Sequence, residues 1–161
     1  MRIGIVSDTH SRHETIEKTL RLLREHEVTC ALHCGDIEDV ETVRLFAALP
    51  THFVFGNCDD DRAALRETMA ECGATIQEPF GHVELEGVKI AFIHGDDKRL
   101  LRDVEHSGHF DFLFYGHTHH AEEHRTGATR VINPGALHRA RPKTFVVLDL
   151  PGGTVKSIVV E

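Results

Sequence analysis

Five short apolar runs in this chain end alike, in a turn built from glycine, aspartate, asparagine or histidine. The run Arg2 to Ser7 leads into Asp8-Thr9-His10, and Thr29 to Cys34 into Gly35-Asp36. Thr51 to Phe55 leads into Gly56-Asn57-Cys58-Asp59, the run ending at Ile93 into His94-Gly95-Asp96, and Phe112 to Tyr115 into Gly116-His117-Thr118-His119. Continuous apolar runs of this length read as buried strands. Between them, apolar residues recur at helical spacing, as Ile16, Leu20 and Leu23 do between His13 and His26. Strands alternating with amphipathic helices make β-α-β units around a parallel sheet. In such a sheet ligands bind outside the carboxyl ends of the strands. One edge is therefore expected to carry Asp8, His10, Asp36, Asn57, His94, His117 and His119.

Further helices are predicted over Ile37 to Leu49, Asp61 to Cys72 and Asp97 to His106. Val83 to Val88 and Lys89 to Ile93 read as strands joined tightly at Glu86-Gly87, and short strands follow near Glu122 to Arg125, Thr129 to Ile132, Thr144 to Leu150 and Thr154 to Val159. That is enough for two packed sheets with helices on their outer faces. The 161 residues are expected to form one domain over 1–161.

Composition narrows the function classes. With 18 Lys and Arg against 26 Asp and Glu the formal charge is −8, which excludes a basic nucleic-acid clamp. No apolar run approaches the roughly 20 residues of a membrane span, so the expected location is the cytoplasm, without membrane attachment. The four cysteines form no C-x-x-C pair, and Cys30, Cys34 and Cys72 read as small packed residues. Histidine is the outlier, fourteen residues scattered from His10 to His138. Imidazole's usual work is metal binding and proton transfer.

Taken singly, Asp8 or Asp36 would read as a helix cap and His94 as a bonded loop histidine. Five such residues at successive strand ends make the metal reading the stronger one. Oxygen and nitrogen donors without thiolate suit Mn²⁺, Fe²⁺, Zn²⁺, Co²⁺ or Ni²⁺. Seven donors exceed one tetrahedral zinc, but with one bridging carboxylate they give four protein ligands to each of two ions. Two ions about 3.5–4 Å apart suit phosphoryl transfer.

The ordered set D-x-H, G-D, G-N-x-D, H-G and G-H-x-H resembles the calcineurin-like metallophosphoesterases, in particular their small single-domain phosphodiesterase branch. The run Val131-Ile132-Asn133-Pro134-Gly135 belongs to the same likeness. The resemblance implies an αββα sandwich of two mixed β-sheets flanked by helices. It implies one metal on Asp8, His10, Asp36 and His119 and a second on Asp36, Asn57, His94 and His117, with Asp36 as the bridge. It places Asp36, Asn57, Cys58 and His119 at the reaction, an in-line attack on phosphorus by a metal-bridging hydroxide. Two divalent ions are implied, manganese foremost, and a small or exposed phosphodiester as substrate. Phosphomonoesterase action is one alternative. Another is a non-catalytic metal-binding scaffold resembling the phosphoesterase-like subunit of the retromer sorting complex.

Cys58 stands where much of the wider superfamily has a histidine that protonates the leaving oxygen. A thiol with a reference pKa near 8.5 is a poorer acid for that task, and His13 and Asp59 are the candidates within sequence reach to replace it. Asp59 is also expected to brace the third motif. Asp96 and Asp97 are expected to add negative charge beside the site and to disfavour highly charged substrates, while Arg139 or Arg141 could meet a phosphate. His26, His52, His82, His106, His109, His120, His124 and His138 read as surface or locally bonded residues. Long nucleic acid is a disfavoured partner, and exposed strand edges leave room for a homodimer that no residue pattern demands.

Overall fold

The computed structural model describes residues 1–161. In chain order the elements are β1 (Arg2–Val6), α1 (His13–Glu25), β2 (Cys30–His33), α2 (Val40–Phe46), β3 (Thr51–Phe53), α3 (Arg62–Glu71), β4 (Thr75–Ile76), β5 (Gly81–Leu85) and β6 (Val88–Ile93). They continue with α4 (Lys98–Glu105), β7 (Phe112–Tyr115), β8 (Glu122–Thr126), β9 (Thr129–Asn133), β10 (Lys143–Asp149) and β11 (Thr154–Val160). The strands form two mixed sheets. The first runs β11-β10-β1-β2-β3-β4 and the second β5-β6-β7-β9-β8. In the first, β1 to β4 are mutually parallel, with β10 antiparallel to β1. In the second, β6, β7 and β9 are parallel and β5 and β8 run against their neighbours.

Side chains alternate across a strand, and here both faces are buried. Ile3, Ile5, Leu32, Val146 and Leu148 meet Ile90, Phe92, Phe112, Phe114 and Ile132 between the sheets. On the outer face of the first sheet, Ile16 and Leu23 of α1, Val43 and Phe46 of α2 and Leu65 and Met69 of α3 cover Val6, Phe53, Phe145 and Val147. Val104 of α4 closes over Ile93, Leu113 and Tyr115 on the other side. The layers are helices, sheet, sheet, helix. Both parallel sets point their carboxyl ends to the same edge, which gathers the polar turns. No helix is long and apolar enough to cross a membrane.

Two expectations change. The second helix begins at Val40 rather than Ile37 and ends at Phe46. Asp36 and Glu38 take left-handed backbone (φ 57° and 73°), which an α-helix does not admit, and Asp39 caps the helix by accepting from Thr42 N at 2.9 Å. The two-residue β4 pairs with β3 at the sheet edge, and nothing in its short sequence announces it.

Candidate metal centre

Asp8 and His10 follow β1, Asp36 follows β2, Asn57 follows β3, His94 follows β6, and His117 and His119 follow β7. All seven come together, and Asp8, His10, Asp36 and His94 each have one atom tied down by the protein and another left facing a common space. Asp8 Oδ2 accepts from Ser7 Oγ at 2.5 Å and from His117 N at 3.1 Å, leaving Oδ1 free. Asp36 Oδ1 accepts from Cys58 N at 2.9 Å, leaving Oδ2. His94 Nδ1 donates to Cys34 O at 2.8 Å, so Nε2 presents its lone pair. His10 Nδ1 lies 2.6 Å from Glu38 Oε1, which turns Nε2 inward. A metal-bound imidazole is held this way, its second nitrogen fixed by a carboxylate or carbonyl.

The free atoms fall into two groups that share Asp36 Oδ2. In the first, Asp36 Oδ2 is 3.4 Å from His10 Nε2, and Asp8 Oδ1 is 3.8 Å from His10 Nε2 and 3.2 Å from His119 Nε2. In the second, His94 Nε2 is 3.3 Å from Asp36 Oδ2, 2.9 Å from Asn57 Oδ1 and 3.3 Å from His117 Nδ1, while Asn57 Oδ1 is 3.1 Å from His117 Nδ1. Ligands at about 2.0–2.2 Å from one ion lie about 3.0–3.6 Å from each other. Asp8 Oδ1 and His10 Nε2 are buried with no hydrogen-bond partner. Buried lone pairs converging on one point repel unless a cation lies between them. The donor set therefore fits two divalent ions, and it fits the division in which Asp36 belongs to both.

Electrostatics agree. Burial pushes the Asp36 carboxyl up, but bonds to His94 and the charge of His10 outweigh it and hold the group below the usual carboxylate range. Asp8 is held down likewise, His10 and Ser7 overcoming its burial. The nearby Asp8 carboxylate raises His10 to about 9 against its burial, with Glu38 and Asp36 adding to the rise. Positive charge is wanted here, whether from protons or from metal.

The backbone is strained where the donors sit. Ten non-glycine residues have positive φ; Asp8, His10, Asp36, His117 and His119 are donors, and Ser11, Glu38 and Arg139 adjoin them. Such backbone costs of order 1–3 kcal/mol per residue and collects at functional sites. Two glycines admit the carboxylates: a side chain at Gly56 would strike Asp36, and one at Gly116 would strike Ser7 and Asp8. Asn133 explains its own run, its Nδ2 donating to Gly116 O at 3.1 Å and to Thr118 Oγ1 at 3.0 Å. It thereby fixes the loop of His117 and His119.

A cleft of about 370 Å³ opens over the donors. Cys58 lines it, its thiol pushed up to about 11 by burial and by Asp36. Neither stand-in for a motif histidine is in the cleft. His13 Nε2 is bonded to Asp39 Oδ2 at 2.8 Å, and Asp59 is buried in bonds to backbone amides, which makes it the expected brace. Asp96 and Asp97 line a separate hollow adjoining His94, with Asp97 capping α4. The cleft instead borders Arg12, Glu38, His138 and Arg139. Of the two arginines that could meet a phosphate, Arg139 lines the cleft and Arg141 lies outside the lining. Glu38 and Arg12 each stand two residues beyond a donor, a signal that was available. His138 follows the Asn133-Pro134-Gly135 run and is a cleft residue rather than a surface one.

The family model of the calcineurin-like phosphoesterase superfamily domain matches residues 1–153. A phosphodiesterase of Methanocaldococcus jannaschii is 30% identical over the whole of both chains. A probable metallophosphoesterase of Bacillus subtilis is 32% identical over 93% of this chain and 85% of its own. Among solved structures, that of an archaeal phosphodiesterase superposes with a TM-score of 0.91 at 30% identity, covering 99% of this chain and 100% of the other.

Proposed function

From the premise that the chain belongs to the calcineurin-like phosphoesterase superfamily, we propose that it is a phosphodiesterase working with two divalent ions, manganese foremost, on a small or exposed phosphodiester. The observation that carries this reading is the sharing of Asp36 Oδ2 between two groups of donors. Asp8, His10, Asp36 and His119 would hold one ion and Asp36, Asn57, His94 and His117 the other. Ions held there supply charge for the phosphoryl oxygens and make a nucleophile available at neutral pH.

The residues of the chain do the rest. Glu38 keeps His10 in the tautomer that offers Nε2, and Cys34 O does the same for His94. Asn57 and His117 stand on the exposed side, where a phosphate enters. Burial and the Asp36 carboxylate push the Cys58 thiol up, which disfavours it as a nucleophile, and in this reading water attacks phosphorus in line without a phospho-enzyme. The same thiol is a weak proton donor, and esters with acidic leaving groups such as nitrophenol are expected to react faster than alkyl esters. A complete donor set favours catalysis over a scaffold role.

The test is hydrolysis of an aryl phosphodiester and its matching monoester by metal-stripped protein, with Mn²⁺, Ni²⁺, Zn²⁺ or Mg²⁺ returned, beside Asp36→Ala. Diester cleavage that needs metal, exceeds monoester cleavage and falls at least about 10³-fold in the variant is expected, since one ligand serves both ions. Protein that holds two ions per chain yet cleaves nothing would overturn the reading.

A further inference from the structure

The chain's arginines are not placed alike. Arg2, Arg44, Arg62, Arg66 and Arg130 each meet a carboxylate. Arg12 and Arg139 meet none, as do the six remaining arginines, but of these eight only Arg12 and Arg139 line the cleft. Arg12 Nε instead donates to His138 Nδ1 at 3.2 Å, leaving both terminal nitrogens of its guanidinium free. The His138 ring in turn lies 5.2 Å from the His10 ring, so Arg12 stands one imidazole outside the donor set. Arg139 reaches the same cleft from a left-handed backbone, φ 48°. Glu38, the remaining acid of the rim, is committed to His10. In a protein of net charge −8, this leaves an unpaired pair of guanidinium groups beside the reaction centre.

We propose that Arg12 and Arg139, with His138 between Arg12 and the donors, form a subsite for a second phosphate on the substrate, so that the enzyme prefers phosphodiesters carrying a neighbouring terminal phosphate. Two planar forks match the roughly −2 charge and the oxygens of a phosphomonoester. The diester's own single charge is met by the ions. The neighbouring α1 adds to the field, because it is the one helix of the four that starts without a side-chain cap, with Arg12 in that position. The inference rests on the phosphodiesterase reading, and its chemistry is the same: water adds to phosphorus, the P–O bond to the aryl group breaks, and nitrophenolate leaves.

The experiment compares thymidine 5′-(4-nitrophenyl phosphate) with the same compound bearing a 3′-phosphate, at fixed ionic strength and with Mn²⁺ present. The wild-type protein is expected to favour the 3′-phosphorylated probe about tenfold or more in kcat/KM, chiefly through KM. The double variant Arg12→Ala/Arg139→Ala should bring that ratio close to one. Arg141→Ala, which removes an arginine outside the cleft, should keep it. A wild-type ratio near one, a ratio unchanged in the double variant, or an equal slowing of both probes would each overturn the proposal, the last by assigning the arginines to the scissile phosphate. Calorimetric binding of thymidine 3′,5′-bisphosphate against thymidine 5′-monophosphate keeps the question open to decision should neither probe be hydrolysed. Tighter bisphosphate binding lost in the double variant supports the subsite even where the diesterase reading fails, and equal binding of the two sinks it.

Discussion

His33 is fully buried beneath the candidate metal centre, and its two ring nitrogens have different work. Nδ1 accepts from Gly35 N at 3.2 Å, so Nε2 carries the proton and donates to Thr9 Oγ1 at 3.0 Å, whose hydroxyl donates to Asp36 O at 3.2 Å. A second ring proton would face the Gly35 N–H head on. Burial, the largest cause, pushes the imidazole down to about 3. The unfolded chain, with a histidine near 6.5, therefore binds one proton more than the folded one between about pH 3 and 6.5. This contribution to stability is complete above pH 6.5 and is lost as pH falls, at up to about 1.4 kcal/mol per pH unit. Urea midpoints at pH 7, 6 and 5 should fall more steeply for the wild type than for His33→Gln, and parallel slopes would refute the assignment. At this scale the donors were legible because each occupies a strand end, a place that sequence marks. Glu38 and Arg12 are marked in the sequence only by standing two residues beyond a donor, and His138 not at all, because an ordinary surface residue and a cleft residue look alike until the loops are folded.

Loops that carry donors need fixing as much as strands do, and Asp59 does this for two of them. Its carboxylate accepts from Asp36 N at 3.1 Å, Ile37 N at 2.7 Å, Glu38 N at 2.7 Å and Gly56 N at 2.7 Å, tying the turn after β2 to the turn after β3. Burial raises the group, and these amides oppose the shift. Asp59→Ala would strand up to four buried amides at about 1–3 kcal/mol each, offset by whatever water enters, so a loss of at least about 3 kcal/mol is expected. Asp59→Asn, which keeps one acceptor oxygen, should lose less. Thermal unfolding of both variants checks this order, and an Ala variant as stable as the wild type would show that the amides find other partners. The same bonds explain the misread helix. Apolar periodicity runs back to Ile37, and only the long-range pull of Asp59 on the amides of Ile37 and Glu38 shows why the chain stays curled there. Elements of the core were legible because Ile16, Leu23, Phe92 and Phe114 repeat at the period of their helix or strand. A two-residue edge strand has no period to read.

Across the whole molecule, the donor groups join the two sheets. Asp8, His10, Asp36 and Asn57 come from loops of the first sheet, whereas His94, His117 and His119 come from loops of the second. Each group contains residues from both: His119 faces Asp8, and His94 faces Asp36 and Asn57. Away from this edge the sheets are held chiefly by apolar contact, with a few polar ties such as Arg130 Nη1 donating to Gly153 O at 2.6 Å. Ions bound at the edge would act as a clip across the sandwich and would hold the strained loops in their donor geometry. A ligand that binds only the folded state stabilises it by about 2.7 kcal/mol at one hundred times its Kd. For a chain of this length that corresponds to a rise of roughly 5–10 °C in Tm per site. Treatment with a chelator should therefore lower Tm by at least this amount, and returning Mn²⁺ should restore it, rising with the logarithm of its concentration. Amide exchange should speed up most in the turns after β1, β2, β6 and β7, and little at the far ends of the same strands. Asp36→Asn, close in shape but poor as a bridge, should unfold at a temperature nearly independent of Mn²⁺. A wild-type Tm indifferent to chelator and to added metal would mean that the donors do not close on ions, and that the convergence of their lone pairs is met by protons instead.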